Sequence, residues 1–498
     1  MQKSKISGVC VSEETISNMA NILGCGAANM PLQYLGVPVG CNMARCSNWD
    51  AIVKKFSSKL SQWNARLLSV GGRLSLIKSV LGSLPTYYMS LYKVPISICH
   101  KLESMRNNFF IGGDLGEKKM AWVSWKKCMA SMKTGGLGIG SIHALNVGLL
   151  FKWIWRLFMH PSDLWAKVIK EIHGLNGGIF HVPSNRSCYS PWCGILSAIK
   201  SLKQKGIDLL SLCIRKLGNG TSIRFWDDIW CGNQPLKAQF PRVFMVENDK
   251  SCYVANRLSL TDWSTALRRQ PRGGIKSSQF SDLQQLIGAI ELTDQKDTWQ
   301  WSLDVSNGFS VASVRSLVDS HTLDVGSSAT RWNNNIPIKV KVFLWRLSLN
   351  KLPSRMNLDR KGIEVDSLLC PTCHEDVETV NHTFYNCEMA KDLWALLARW
   401  WELDIPFCEN ISEWITWLDS SSLSSKARLF LDGVVGALLW SIWNFRNRLV
   451  FSNSPPKKAV LWDNIVSQSF LWISSRNPKL KLSWVGWLKN PLATIAIL

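Results

Sequence analysis

The sequence predicts a mainly α-helical protein with short β-hairpins. Apolar residues recur at spacings of three and four over long stretches, which is the period of a helix with one buried face. Turn and strand signals are concentrated in the middle of the chain, and four cysteine and histidine residues cluster between Cys370 and Cys387. In order, the chain should form a basic helical bundle, a mixed α/β middle region and a small helical domain around that cluster.

Length and composition predict an intracellular protein of several domains. The 498 residues have room for about three domains. An apolar content of 46%, with 26 tryptophans, is sufficient to form hydrophobic cores. The fifteen cysteines lack paired spacing, and the polar start of the chain is not a signal segment, so we expect no disulfides. The apolar stretch 433–443 is too short to span a membrane. We therefore expect a location in the nucleus or cytoplasm, with no signal peptide and no transmembrane segment.

The formal net charge of +22 indicates a polyanionic partner. The excess is uneven: residues 48–110 contain nine Lys or Arg against Asp50 and Glu103, and residues 339–361 contain seven against Asp359. Both stretches also have helical periodicity, so the sequence predicts nucleic-acid-binding helices. The alternative is a solvated face that only keeps the protein soluble.

Three helices are predicted in the first basic stretch. The first covers residues 49–63, with Asn48 as a possible cap. Gly71-Gly72 should interrupt the chain before the second helix, which Pro85 ends, and Pro95 should open the third.

The middle of the chain shows turn and strand signals. The glycine-rich segment 133–140 lacks the Gly-Lys-Ser/Thr ending of a nucleotide-binding loop, so it is predicted to be a connector into an aromatic helix at 146–158. From about residue 217 the pattern predicts a turn at Gly218-Asn-Gly220 followed by a strand to Trp226, and a hairpin about Asn307-Gly308 within 299–311. Residues 320–331, rich in small and polar side chains, are the predicted linker.

Adjacent carboxylates at Asp227 and Asp228 resemble a two-metal polymerase site. That chemistry needs a further carboxylate from another strand, for which the sequence offers no convincing candidate. We therefore predict a packed strand edge here, and no catalytic residue anywhere in the chain. Histidines without a matching catalytic partner are His100, His143, His160, His173, His181 and His321.

Four soft metal ligands are packed into the segment Cys370-x2-Cys373-x8-His382-x4-Cys387. Thiolate and imidazole ligands in this number predict one closed, structural Zn²⁺ site, because all four tetrahedral positions are filled by protein. His374 is the second candidate for the histidine ligand, but it directly follows Cys373. The alternative is that the cysteines are buried by coincidence.

An ordered series of motifs resembles one family. It comprises Tyr34-Leu35-Gly36, Leu60-Ser-Gln-Trp63, Gly71-Gly72-Arg73, Gly135-Gly-Leu-Gly-Ile139, Lys152-Trp-Ile-Trp155-Arg156, Gly218-Asn-Gly220, Phe225-Trp226-Asp227-Asp228, Gly308-Phe-Ser-Val311, Lys341-Val-Phe343-Leu-Trp345-Arg346, the Cys370 to Cys387 cluster and Trp440-Ser-Ile-Trp443-Asn-Phe-Arg446-Asn447. Together these resemble the C-terminal part of plant LINE-type (non-LTR) retrotransposon reverse transcriptases. The resemblance covers nearly the whole chain.

The resemblance implies a domain order. Residues 1–30, with Lys3-Ser4, are similar to the end of the family's palm, and 31–160 to its thumb-like basic helical region. Residues 161–319 would be the mixed α/β connector, followed by the linker at 320–331. Residues 332–405 resemble the reverse transcriptase zinc-binding domain, and 406–498 the helical region after it.

The resemblance also implies a function. The family's catalytic palm precedes the Tyr34 segment, so we expect a truncated reading frame. It should bind RNA and DNA as template and primer but have no catalytic activity alone. Mg²⁺ would serve only a complete enzyme. Alternatives are a zinc-stabilised protein-interaction scaffold, or a polymerase if an upstream palm is supplied. No membrane contact is expected and protein partners are unspecified. The predicted phosphate contacts are Lys54, Lys55, Lys59, Arg66, Arg73, Lys78, Lys339, Lys341 and Arg346.

Overall fold

A computed structural model describes residues 4–8, 11–34, 36–113, 119–180, 190–232, 234–260, 262–271 and 273–496. Lys3, Leu35 and His181 lie outside these residues. The described chain is mainly α-helical with few short strands, so the predicted fold class is confirmed. It divides into two compact units, each assembled from three separated segments: Met1–Asp50, Pro85–Cys99 and Ser141–His321 form the first, and Ala51–Leu84, His100–Gly140 and Thr322–Leu498 form the second.

Helices make up most of the described chain. They are α1 Glu13–Leu23, α2 Asp50–Gln62, α3 Val70–Leu76, α4 Thr86–Met89, α5 Ile96–Ile111, α6 Trp125–Met129, α7 Ile142–Met159, α8 Leu164–His173, α9 Pro191–Gln204, α10 Leu236–Gln239, α11 Pro241–Phe244, α12 Val254–Leu258, α13 Ile275–Gly288, α14 Val311–Thr322, α15 Ile338–Ser348, α16 Arg355–Asp359, α17 Glu388–Trp401, α18 Ile411–Ser420, α19 Ser425–Phe451, α20 Leu461–Arg476, α21 Trp484–Lys489 and α22 Pro491–Ala496.

The strands form two-stranded pairs. They are β1 Lys5–Ile6, β2 Gly26–Ala27, β3 Leu32–Tyr34, β4 Val37–Val39, β5 Cys213–Lys216 and β6 Thr298–Trp301. The β1–β2 pair is parallel, whereas β3–β4 and β5–β6 are antiparallel.

Two strand predictions in the middle region were wrong. Residues 223–226 form no strand and contribute only an isolated bridge at Arg224. β6 pairs with β5, far away in the sequence, rather than folding back at Asn307-Gly308. The Asp304 carboxylate accepts hydrogen bonds from the Ser306 hydroxyl and from Asn307, which closes a turn that leads into α14 instead of a second strand.

Side-chain hydrogen bonds fix the loops of the first unit. The Asn146 side chain on α7 accepts a hydrogen bond from the Val94 amide at 3.0 Å and donates to the Met89 and Tyr92 carbonyl oxygens. Around Gly218-Asn-Gly220, the Asp297 carboxylate accepts hydrogen bonds from the amides of residues 218, 220 and 222. Because buried polar groups need partners, these side chains hold irregular segments in single conformations.

Helices α15, α17, α19 and α20 surround the main core of the second unit. The 27-residue α19 is buried along most of its length, with Leu431, Leu438 and Ile442 fully enclosed. The apolar stretch 433–443 lies within this helix. No helix in the described ranges is both long and apolar enough to cross a membrane.

The first basic stretch departs from its prediction at two points. Asn48 lies in the 3₁₀ turn Cys46–Trp49, where its side chain donates to the Asn42 carbonyl, so it does not cap α2. Gly71-Gly72 does not interrupt the chain but lies in the first turn of α3, capped by the Ser69 hydroxyl. A Cβ at Gly71 would lie 2.7 Å from the backbone nitrogen of Lys339, so glycine is needed where α3 approaches α15. α5 begins directly after Pro95, as predicted.

Candidate metal centre

The four predicted ligands come together in the second unit. One ligand atom each from Cys370, Cys373, His382 and Cys387 lies within 4.8 Å of the others. His382 Nε2 is 3.3 Å from Cys373 Sγ. Three sulfurs and one imidazole nitrogen at these separations can hold a metal ion with tetrahedral coordination.

The first pair of cysteines is positioned by a tight turn. The Cys370 amide donates to the Asp376 carbonyl at 2.7 Å, and the His374 amide donates to the Cys370 carbonyl at 2.9 Å. His374 completes the turn with a φ of 62°, in the left-handed region. Its side chain is exposed and outside the cluster, so the structure groups His382, not His374, with the three cysteines.

The second pair is supplied by the start of α17. Residues His382–Asn386 form one turn of π-helix, and the Cys387 amide closes it by donating to the His382 carbonyl at 2.7 Å. Cys387 then serves as the N-terminal cap residue of α17.

The thiols of Cys370 and Cys387 shift each other's pKa in opposite directions. A hydrogen bond with Cys387 lowers the pKa of Cys370, assisted by the backbone amides of Cys373 and Thr372, and the same bond together with burial raises the pKa of Cys387. His382 Nδ1 lies 3.3 Å from the Asp376 carboxylate, although the pair is not aligned as a hydrogen bond. A carboxylate that accepts a hydrogen bond from Nδ1 of a metal-binding histidine orients the ring, but that hydrogen bond is not formed between these two residues.

A buried ion pair joins the cluster's loop to α19. Glu378, fully buried, accepts from Arg446 through two hydrogen bonds of 2.5 and 2.7 Å and from the Arg355 amide at 2.7 Å. The Arg446 guanidinium also lies 5.1 Å from the Trp443 ring centroid. Removing one partner of such a pair leaves an uncompensated buried charge, so this contact anchors the metal loop to the helical core.

Several of the predicted phosphate contacts are exposed. Lys54, Lys55 and Lys59 project from α2, and Lys339 lies at the start of α15. Lys54 and Lys55 make no ion pair or hydrogen bond with the described residues. Arg66 and Lys78 are exposed as well, but each has a partner.

Three other predicted contacts are engaged within the second unit. The Arg73 guanidinium donates to the carbonyl oxygens of Ala65, Leu68 and Phe110. Buried Lys341 donates to Asn334 and lies 5.1 Å from the Trp332 ring centroid.

Arg346 is engaged as well. It donates twice to the Lys351 carbonyl, and burial lowers its pKa to about 10. The side-chain donors of Arg73, Lys341 and Arg346 are thus used within the protein. These three residues are therefore not among the phosphate contacts that we propose.

The paired carboxylates of the first unit are engaged in local structure. Asp227 accepts from Lys237 at 2.7 Å, and Asp228 accepts from the Arg224 amide at 2.7 Å. Burial raises the pKa of Asp228. Among the described residues, the Cys370–Cys387 cluster is the group of three or more side chains placed to share a metal, and neither aspartate belongs to it.

The cluster lies within a segment of the chain that matches a known family. Residues 309–394 match the family described as zinc-binding in reverse transcriptase. This segment is therefore similar to the zinc-binding region of reverse transcriptases, in keeping with the resemblance of its motifs.

Two proteins of Arabidopsis thaliana are similar to this chain. The protein named "Putative ribonuclease H protein At1g65750" is 23% identical over 413 residues, which cover 81% of this chain and 64% of that protein. The "Uncharacterized mitochondrial protein AtMg00310" is 25% identical over 149 residues, covering 30% of this chain and 92% of that protein. The chain thus spans just under two thirds of the longer relative.

Sequence reasoning missed the residues that support the cluster. Asp376, Glu378 and Arg446 have no signature spacing, because Glu378 and Arg446 are 68 residues apart. A carboxylate a few residues before a candidate histidine ligand was a local signal, but Glu375, Asp376 and Glu378 all meet it, so it could not single out one of them.

Proposed function

We propose that this chain binds nucleic acid through phosphate contacts from exposed lysines, on a module whose fold is completed by one structural Zn²⁺. The observation that carries the proposal is the close packing of α3 against α15 at Gly71 and Lys339. Residues 51–84 of the first basic stretch and the whole of the second, 339–361, belong to one unit, which also contains the four-residue cluster.

Zinc suits the donor set better than the harder divalent cations. Three thiolates and one imidazole favour Zn²⁺, whereas Mg²⁺ and Ca²⁺ prefer oxygen ligands. Bound there, the ion would supply folding energy by joining the two loops. With four protein ligands, no position is left for substrate, so the role we assign to the metal is structural.

The exposed lysines on α2 and α15 suit contacts to phosphate rather than to bases. Lys54, Lys55 and Lys59 share one short helix, and Lys339 begins the helix that packs on α3. A lysine ammonium is a point charge without the planar geometry that reads a base edge. We propose sequence-tolerant binding of RNA and DNA, in keeping with an origin in a plant LINE-type retrotransposon.

The test is binding measured across a salt series. Fluorescence anisotropy of labelled structured RNA and of a primed duplex is followed with the zinc-loaded chain, its K54A/K55A/K59A variant and a control variant, K479A/K481A/K489A. The control removes the same charge from exposed lysines of the same unit. Each lost phosphate contact lowers the slope of log affinity against log salt by about 1, so the first variant should lose about 3 and the control none.

Three outcomes would contradict the proposal. Weak binding that does not change with salt would leave the basic helices as solvated faces and favour a protein-interaction scaffold. Equal losses of salt slope in the two triple variants would show that the net charge of the chain, and not contacts from Lys54, Lys55 and Lys59, accounts for the binding. Incorporation of labelled deoxynucleotides that D227A/D228A abolishes would show that the chain carries chemistry and not only binding.

A further inference from the structure

Three basic side chains of the first unit lie around the start of α7. Lys93 is in the loop between α4 and α5, His143 is the second residue of α7, and Lys205 directly follows α9. All three belong to the first unit. None of them forms an ion pair with the residues that the structure describes.

Hydrogen bonds place Lys93 between α7 and α9. The Asn146 side chain on α7 bonds to the backbone on both sides of Lys93, since it donates to the Tyr92 carbonyl at 2.9 Å and accepts from the Val94 amide at 3.0 Å. The Lys93 ammonium donates to the Ser197 hydroxyl on α9 at 3.1 Å. This contact uses one of the three donors of the ammonium group.

His143 lies one turn before Asn146 on α7. Residues three apart are neighbours on a helix surface, so the imidazole is next to the side chain that holds the Lys93 loop. The His143 ring is half-buried and makes no hydrogen bond with the described residues. Burial lowers the pKa of His143, and the charges of Lys205 and Lys93 lower it further. These basic groups are therefore close enough to repel one another.

The carboxylates nearest to the three basic groups are engaged with other residues. Asp208, shortly after the end of α9, forms an ion pair with Lys203 at 2.7 Å. Asp319 on α14 accepts from the Ser141 hydroxyl at 2.6 Å and lies 3.8 Å from Arg315. The charges that act on the imidazole are those of two lysines, and no carboxylate of the described residues balances them.

We propose that Lys93, His143 and Lys205, with the Ser197 hydroxyl, bind a phosphate group. Its oxygens accept from both ammonium groups, from the hydroxyl and from the protonated imidazole, so groups that repel one another in the free protein share one anion. A phosphodiester of nucleic acid and free phosphate have this chemistry in common. The site uses none of the lysines on α2 and α15, so it is independent of the proposed function.

Binding at this site should be coupled to protonation of His143. Its lowered pKa leaves the imidazole neutral at neutral pH, whereas a bound anion favours the protonated form and raises that pKa. Each unit of increase corresponds to about tenfold tighter binding once the imidazole is protonated. A phosphodiester keeps one negative charge over this range, so a gain in affinity as the pH falls comes from the protein.

NMR of His143 and a salt series test the site on the full chain. The imidazole C–H signal, assigned by its absence in H143N, is followed between about pH 5 and 8. The titration is repeated with inorganic phosphate and with a short oligonucleotide strand. Anisotropy of the labelled strand is measured for K205A and for the control K200A, which removes an exposed lysine of α9 that does not act on His143. Thermal unfolding of each variant identifies misfolding.

We expect both probes to raise the pKa of His143, and the tighter binding at low pH to match that increase. K205A should raise the same pKa in the free protein, because a repelling charge is removed, and should lower the slope of log affinity against log salt by about 1. K200A should change neither. H143N should remove the gain in affinity at low pH and leave binding at about pH 8 unchanged.

Failure of this site can be distinguished from failure of the proposed function. If the strand binds but neither probe changes the pKa of His143, the site is refuted and the lysine contacts on α2 and α15 stand. Equal effects of K205A and K200A, or a gain at low pH that survives in H143N, would also overturn it. If inorganic phosphate alone raises the pKa, the site takes free phosphate. If the strand in addition does not bind the chain at all, only the proposed function is refuted.

Discussion

Replacing Gly71 with alanine tests the close approach of α3 to α15. A Cβ at this position would lie 2.7 Å from the Lys339 nitrogen and 3.1 Å from the Ile338 Cβ. Neither atom is the flexible end of a side chain, so the helices must move apart, and overpacking of this kind costs roughly 1–3 kcal/mol. Gly72, the next residue, is the matched control because the nearest atom to its Cβ would be Ser69 Oγ at 3.7 Å.

The comparison of the two variants isolates the steric term. Alanine in place of glycine within a helix gains roughly 0.5–1 kcal/mol in either position. G71A should therefore be less stable than G72A by about 1–3 kcal/mol, the overpacking cost alone. Native-state hydrogen exchange of peptides from α3 and α15 measures this, since a chain of two units need not unfold in one step. Equal protection in the two variants would show that the helices are not in contact at Gly71.

The remaining predictions concern the ion pair, the metal and pH. E378Q should destabilise the Cys370–Cys387 loop by about 3–5 kcal/mol, measured by hydrogen exchange. The control K458A, which breaks the exposed Lys458–Asp392 pair, should cost no more than about 1 kcal/mol. Similar effects of the two variants would contradict the anchoring role of Glu378. Co²⁺ substitution should give the absorption spectrum of a tetrahedral thiolate site. In a chelator competition, C373S should weaken Zn²⁺ binding and H374N should not. If H374N weakened Zn²⁺ binding and C373S did not, His374 would be the ligand. Burial raises the pKa of Cys128 from 9.0 to about 12, so the folded state holds this proton more tightly than the unfolded chain. Its contribution to stability is full below pH 9 and is lost as the pH rises towards 12, by up to roughly 1.4 kcal/mol per pH unit. C128A should flatten that slope in alkaline urea titrations, and a C46A control at an exposed thiol should not.

Features encoded by local spacing could be predicted from the sequence. The candidate ligands Cys370, Cys373, His382 and Cys387 lie within one short segment, so metal-ligand spacing was enough to group them. The start of α5 after Pro95 followed from the helix-opening property of proline.

Features that depend on distant segments could not be predicted. Gly71 was interpreted as a break because a glycine pair signals a turn, whereas it is required by the approach of α15, far along the chain. β6 was assigned a neighbouring partner and pairs instead with β5. No sequence pattern indicated that the buried Tyr385 hydroxyl lacks a hydrogen-bond partner among the described residues.

The Glu378–Arg446 pair has a consequence for how the module can be isolated. Glu378 lies inside the segment 309–394 that matches the family, but Arg446 lies on α19, well past its end. A polypeptide cut at residue 394 would keep the carboxylate and lose its cation, and an unpaired charge of this kind is too costly to stay buried. The segment that matches the family model is thus shorter than the segment that keeps this ion pair, and a fragment made to study the metal loop should include α19 and also α20, which packs into the same core.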